Sequence, residues 1–208
     1  MTHARLSTRI AALSPALLAP AMAVALAGCG PTSGPVRTPG DMGTPVANAP
    51  TATTPLAGSS GDITAFGRAL LREQNQARAD VGVAPLRWNE ALAGAAKDWA
   101  NELARRGRIE HASAEVRGNQ GENLWTGTAG RFGAEQMIEA FVSEKRYFRN
   151  DPMPDISTTG RWQDVGHYSQ IVWRNTTDVG CAITRGGGND YLVCRYSPSG
   201  NVIGQRAY

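Results

Sequence analysis

Residues 166–200 read GHYSQIVWRNTTDVGCAITRGGGNDYLVCRYSPSG, and the folding of this stretch decides the architecture. Its second half has the form of a hairpin. Runs rich in β-branched and aromatic residues lie on both sides of the glycines at 186–188, and a glycine tip between such runs marks a tight reversal. Folding about that tip sets Ile183 opposite Leu192 and Cys181 opposite Cys194, on one face of the pair. Directly opposed strand residues lie near the separation that a disulfide requires, so the register predicts a Cys181–Cys194 bond; two buried thiols are the alternative. The first half alternates. His167, Ser169, Ile171 and Trp173 fall on one side, with Tyr168, Gln170 and Val172 on the other, so a period of two predicts a further strand.

Upstream the period changes to that of helices. Residues 62–80 read as a helix, with Phe66, Ala69, Leu70, Ala77 and, just beyond, Val81 in an approximate helical stripe and Asp62 or Thr64 as a cap. Residues 89–106 repeat Leu92, Ala96, Trp99 and Leu103 behind an Asn89 cap, and Gly107 provides the stop. A third helix is predicted over 133–148, with Met137, Phe141, Glu144, Tyr147 and Phe148 on one face. A carboxylate among apolar neighbours must find a partner or lose its charge, which singles out Glu144. Glu139 is the competing acid on that helix, but it falls about 140° from the apolar face and is rejected.

The N-terminus is an address. Residues 1–28 have a short basic start, an Ala- and Leu-rich run interrupted by Pro15 and Pro20, and small residues before Cys29. This is the plan of a secretory signal peptide rather than of a membrane span. The junction LAGC resembles the lipobox of bacterial lipoproteins. That resemblance implies a diacylglycerol thioether on Cys29, membrane attachment through it and, in a bacterium with two membranes, the outer membrane because Gly30 follows. Ordinary cleavage, leaving a plain thiol, is the alternative. Residues 29–61 are rich in Pro, Gly, Thr and Ser and have no hydrophobic period, so they read as a disordered tether. The folded domain is expected over 62–208.

Composition supports one exported globular domain. The 41% hydrophobic content is enough for a core. The formal charge of +3, from 21 basic against 18 acidic residues, falls to +1 once Arg5 and Arg9 leave with the leader. A near-neutral surface with interspersed charges argues against nucleic-acid binding. A monomer is expected.

The strings GHYSQIVWRNTTDVGCA and YLVCRYSPSGNVIGQ, with PLRWNEALAGAAKDWANELA, GENLW, FVSEKRYF and GNVIGQRAY in order, resemble the CAP superfamily, which joins the cysteine-rich secretory, antigen-five and plant pathogenesis-related proteins. The likeness spans nearly all of 64–208 and is nearest to the plant branch. It implies an α+β fold, a three-layer α–β–α sandwich around a small, mainly antiparallel sheet. Two departures stand out. The first-helix motif of the family reads QNQAR here, with Gln74 in place of a histidine. Plant members have three disulfides, whereas this chain can form one. The cysteine-rich module of animal venom members is absent from this sequence, so channel blocking is not expected.

The resemblance also implies a cavity with two histidines and two acids, carried over to His111, Glu122, Glu144 and His167. Two imidazoles are borderline ligands for Zn²⁺ or a similar divalent ion, with His111 and His167 as the metal ligands. The carboxylates would orient them or take a proton from bound water. Without metal, the same groups can satisfy one another by charge-assisted hydrogen bonds. Glu122 could equally be a bracing carboxylate. Asn123, Asn201 and Gln205 read as amides that fix loops.

Function stays open among three readings. One is binding of a lipid, sterol or other small ligand. Another is a non-catalytic envelope-interaction or effector role. The third is a metal-dependent hydrolase, which is disfavoured because the chain contains neither HExxH nor G-x-S-x-G.

Overall fold

The computed structural model describes residues 63–208. The signal peptide over 1–28, the tether over 29–61 and lipidation at Cys29 lie outside the described residues. In chain order the elements are α1 (Ala65–Ala79), β1 (Arg87–Trp88), α2 (Glu90–Arg106), α3 (Ala114–Arg117), β2 (Gly121–Thr128), α4 (Ala134–Val142), α5 (Gly166–Ile171), β3 (Asp178–Gly186) and β4 (Asn189–Ser197). Short 3₁₀ turns cover Ser143–Tyr147 and Trp162–Asp164.

The helix starts follow from their caps. Thr64 Oγ1 accepts the N–H of Gly67 at 3.0 Å, and Asn89 Oδ1 accepts that of Leu92 at 3.1 Å. Gly107 ends α2 in the left-handed region, at φ 66°. The hairpin forms about the expected tip: Gly186 pairs with Asn189, while Gly187 and Gly188 take φ of 56° and 80°. Positive φ at both central positions is what a two-residue hairpin turn requires, and glycine adopts it without steric cost.

The sheet order is β1-β3-β4-β2, with β1 parallel to β3 and the other neighbours antiparallel. Side chains alternate along β4 and so divide the core between two faces. Tyr191 and Val193 pack with Leu124 against Ala96, Trp99, Ala100 and Leu103 of α2. Leu192, Cys194 and Tyr196 point the other way, into a cluster with Leu70 of α1, Phe141 of α4 and Ile171 of α5. Helix on one face, sheet, helices on the other face is the three-layer α+β sandwich expected. Gly180 lets α2 lie directly on β3, because a Cβ there would meet Ala93 N at 2.1 Å.

Two sequence expectations are corrected. The run HYSQIVW is not a strand: residues 166–171 form α5. Tyr168, Ser169, Gln170 and Ile171 are all buried in succession, which requires protein on every side. So short a run contains too few turns to display a helical period, and its polar and apolar residues mimic alternation. The third helix also stops early, at Val142, and tightens into the 3₁₀ turn over Ser143–Tyr147. Glu144 therefore sits on that turn and not on the apolar face of an α-helix.

Candidate functional site

The Cys181–Cys194 disulfide forms in the register read from the sequence, between directly paired residues of β3 and β4. It lies on the α1 side of the sheet, in the same cluster as Leu70 and Phe141.

At the sheet edge beside β4, β2 carries Glu122 and Asn123 to opposite faces of the sheet. Glu122 opposes Arg195 of β4, and Arg195 Nη2 lies 3.0 Å from Glu122 Oε2. Both side chains are almost wholly buried. This contact does not align as a hydrogen bond, and among the described residues neither Oε2 of Glu122 nor Nε of Arg195 has a hydrogen-bond partner. Burial pulls the Arg195 guanidinium below its ordinary pKa; Glu122 opposes that shift and nearby Arg117 adds to it. The other oxygen of Glu122, Oε1, accepts the backbone N–H of Ala112 at 3.0 Å and meets Nδ1 of His111 at 2.7 Å. Glu122 thus braces a loop and orients an imidazole at once.

The second pair is built from different elements. Glu144 Oε1 lies 2.6 Å from His167 Nδ1, while its Oε2 accepts the backbone N–H groups of His167 and Tyr168 at 3.0 and 3.1 Å. The carboxylate therefore caps α5 from a distance, satisfying donors at the start of the helix that have no partner within it. The His167 ring stacks on Phe141 of α4, with centroids 4.7 Å apart. Asn123 donates from Nδ2 to the His167 carbonyl at 3.1 Å and to Tyr196 Oη at 3.2 Å. Tyr196 in turn donates to Gln74 Oε1 at 2.7 Å. Gln74, the departure in the first-helix motif, is fully buried and ties this chain of polar groups to α1.

His111, Glu122 and His167 line one cleft of about 590 Å³, shared with Arg117, Asn123, Trp162, Gln163, Gln170 and Asn201. Glu144 stands behind His167 rather than on the cleft wall. The four residues thus form two His–Glu pairs, with each Nδ1 committed to a carboxylate. Neither Nε2 makes a hydrogen bond among the described residues. Glu139, rejected from the sequence, is exposed on α4. Asn201 donates to the Gly166 carbonyl at 2.9 Å and so fixes the closing segment, as expected. The structure adds Arg117, Arg195, Trp162 and Gln170 to this region; only their convergence in three dimensions marks them.

A carboxylate holding Nδ1 and freeing Nε2 is the arrangement that tunes a histidine as a metal ligand. The donor set is small, however. Among the described residues no group of three or more His, Cys, Asp or Glu is placed to hold a metal ion, and Zn²⁺ sites usually draw three or four ligands from protein.

Comparison with known proteins agrees with this frame. The model of the cysteine-rich secretory protein family, CAP, matches residues 71–196. Pathogenesis-related protein 1C of Nicotiana tabacum is 40% identical over 139 residues, covering 66% of this chain and 78% of that protein. Pathogenesis-related protein 1 of Arabidopsis thaliana is 37% identical over 136 residues, covering 64% and 77%. Among solved structures, NaASP2 with Zn²⁺ covers 73% of this chain and 90% of its own, with a TM-score of 0.60 at 21% identity. The Schistosoma mansoni venom allergen-like protein 4 covers 70% and 94%, with a TM-score of 0.55 at 22% identity. At those identities the structural likeness speaks for the fold alone. The cystine and the secretory family agree with an exported protein. By the match over residues 71–196 and its likeness to the plant pathogenesis-related proteins, the chain belongs to the CAP family of cysteine-rich secretory proteins.

Proposed function

We propose that this CAP-domain protein is exported, held at the cell envelope through a lipidated Cys29, and binds a small polar ligand in the cleft shared by His111 and His167. One observation carries the reading. Two imidazoles from distant parts of the chain have Nδ1 fixed by Glu122 and Glu144, which leaves both Nε2 atoms for a ligand at one cleft of about 590 Å³. Preoriented side chains lose little freedom on binding, so their hydrogen bonds contribute more to affinity. A divalent ion would have these two nitrogens as protein donors and would take its remaining ligands from water; it would supply Lewis acidity to a bound oxygen.

Hydrolysis is a weaker reading. Oε1 of Glu122 and both oxygens of Glu144 are engaged, and neither Ser113 nor Ser169 hydrogen-bonds a histidine among the described residues. Lipid or sterol binding rests on a different place. A groove of about 550 Å³ between α1 and α2 is walled by Ile63, Phe66, Trp88, Ala93, Ala182 and Ile183.

The test is native mass spectrometry of the full chain purified from its own envelope, beside a variant with His111→Ala and His167→Ala. A small polar molecule retained by the wild type and lost from the double variant is the expected result. A lipid retained equally by both, and displaced by filling the groove with Ala93→Trp, would replace this reading with the lipid one.

A further inference from the structure

The chemical class of the cleft ligand follows from Arg117, and this inference rests on the binding reading above. Each carboxylate next to the cleft is compensated. Glu122 has Arg195 and the N–H of Ala112, and Glu144 has two backbone N–H groups. Arg117 has no such partner among the described residues. It ends α3 and lines the cleft, yet its guanidinium donates only to neutral carbonyls: Nε to Ala112 at 3.0 Å and Nη1 to Gln120 at 3.4 Å. Those two bonds hold the plane in place, and Nη2 has no partner among the described residues. A second guanidinium, Arg195, lies close enough to feel its charge. Arg195 is already paired with the buried Glu122 at 3.0 Å, so Arg117 is the cleft guanidinium that faces no carboxylate among the described residues.

The cleft also presents Trp162. This residue lines the cleft yet remains 37% exposed, and a Cβ on Gly166 would touch its ring at 3.3 Å and Asn201 Nδ2 at 3.9 Å. The indole and Asn201 therefore flank Gly166 at the cleft wall. A guanidinium and an indole lining the same cleft match a molecule with an anionic oxygen group joined to a flat or apolar body.

We propose that the cleft selects small organic anions, carboxylates or phosphates, that pair through an oxyanion with Arg117 and lay an apolar part against Trp162. A planar fork of N–H donors suits both oxyanions, because each can accept two parallel hydrogen bonds.

The test is calorimetric titration of the full chain with benzoate, phenyl phosphate, inorganic phosphate and benzamide. Benzamide has nearly the shape of benzoate without its charge. Binding of benzoate or phenyl phosphate at least about tenfold tighter than benzamide is expected, since one charge-assisted pair accounts for that ratio. Arg117→Gln should abolish the preference, Arg117→Lys should retain part of it, and Trp162→Ala should weaken the aromatic anions toward inorganic phosphate. The aromatic pair also separates a carboxylate preference from a phosphate one. Equal binding of benzoate and benzamide, unchanged selectivity in Arg117→Gln, or no binding of any of the three anions overturns the proposal. Benzamide and benzoate binding equally, with both lost in the double histidine variant, would sink the charge selection while the cleft reading stood.

Discussion

Glu144 and His167 are joined twice: the carboxylate meets the ring Nδ1 at 2.6 Å and accepts the backbone N–H of the same residue at 3.0 Å. One side chain thus fixes both the start of α5 and the orientation of the imidazole that helix carries. Replacing Glu144 with alanine should cost about 0.5–2 kcal/mol, the range for loss of a helix cap. Ligand or Zn²⁺ binding should weaken with it, because the ring loses its brace. Glu144→Gln keeps an oxygen for the backbone and should recover most of the stability but less of the binding. Urea unfolding and calorimetry on the same variants separate the two effects.

The disulfide closes a short loop, with a sequence separation of 13. On the chain-entropy account such a crosslink contributes up to about 3 kcal/mol. Cys181→Ser with Cys194→Ser, or reduction by a thiol, should lower the urea midpoint by a corresponding amount. The hairpin register should survive, since the ladder from Asp178–Ser197 to Gly186–Asn189 does not depend on the sulfurs. Amide exchange along β3 and β4 checks this.

Arg78 is a buried cation without a carboxylate partner among the described residues. Its guanidinium donates to the carbonyls of Ala84, Ile171, Trp173 and Thr176, and so ties the end of α5 to α1 and to the turn after it. Burial pulls its pKa down to about 10, with Tyr196 opposing the shift. Lysine cannot span four acceptors with one ammonium, so Arg78→Lys should lose about 3 kcal/mol or more, measured by chemical unfolding.

Acid should act through Asp190. Its carboxylate is held below the usual aspartate range by its hydrogen bonds with Arg185 and by the N–H of Gly130, against the opposing effect of burial. A depressed folded pKa means that the interaction is present above the ordinary aspartate value of about 3.9 and is lost as pH falls through the lower folded value. Thermal unfolding should therefore change little through this group from pH 7 to 5 and fall below about pH 4. Asp190→Asn should be less stable at pH 7, with a smaller loss on acidification. Arg185 is largely exposed, and salt will moderate the effect.

The two strands β3 and β4, the Cys181–Cys194 pairing and helix α2 were legible in the sequence because each is governed by local rules. A glycine tip sets a register, an Asn cap and a Gly stop bound a helix, and hydrophobic spacing reports the buried face. The histidines and glutamates were reached by resemblance to the CAP family, and their chemistry was consistent with that. Tertiary structure alone decided three things. It made residues 166–171 a helix, because Glu144, a residue remote in the chain, supplies the cap and neighbours bury every side. It sorted the four site residues into two His–Glu pairs, with Glu144 behind the cleft rather than in it. It left Arg117 at the cleft with carbonyl acceptors and no carboxylate among the described residues. Charge compensation depends on distances across the fold, and spacing along one chain does not encode which arginine a buried glutamate will meet.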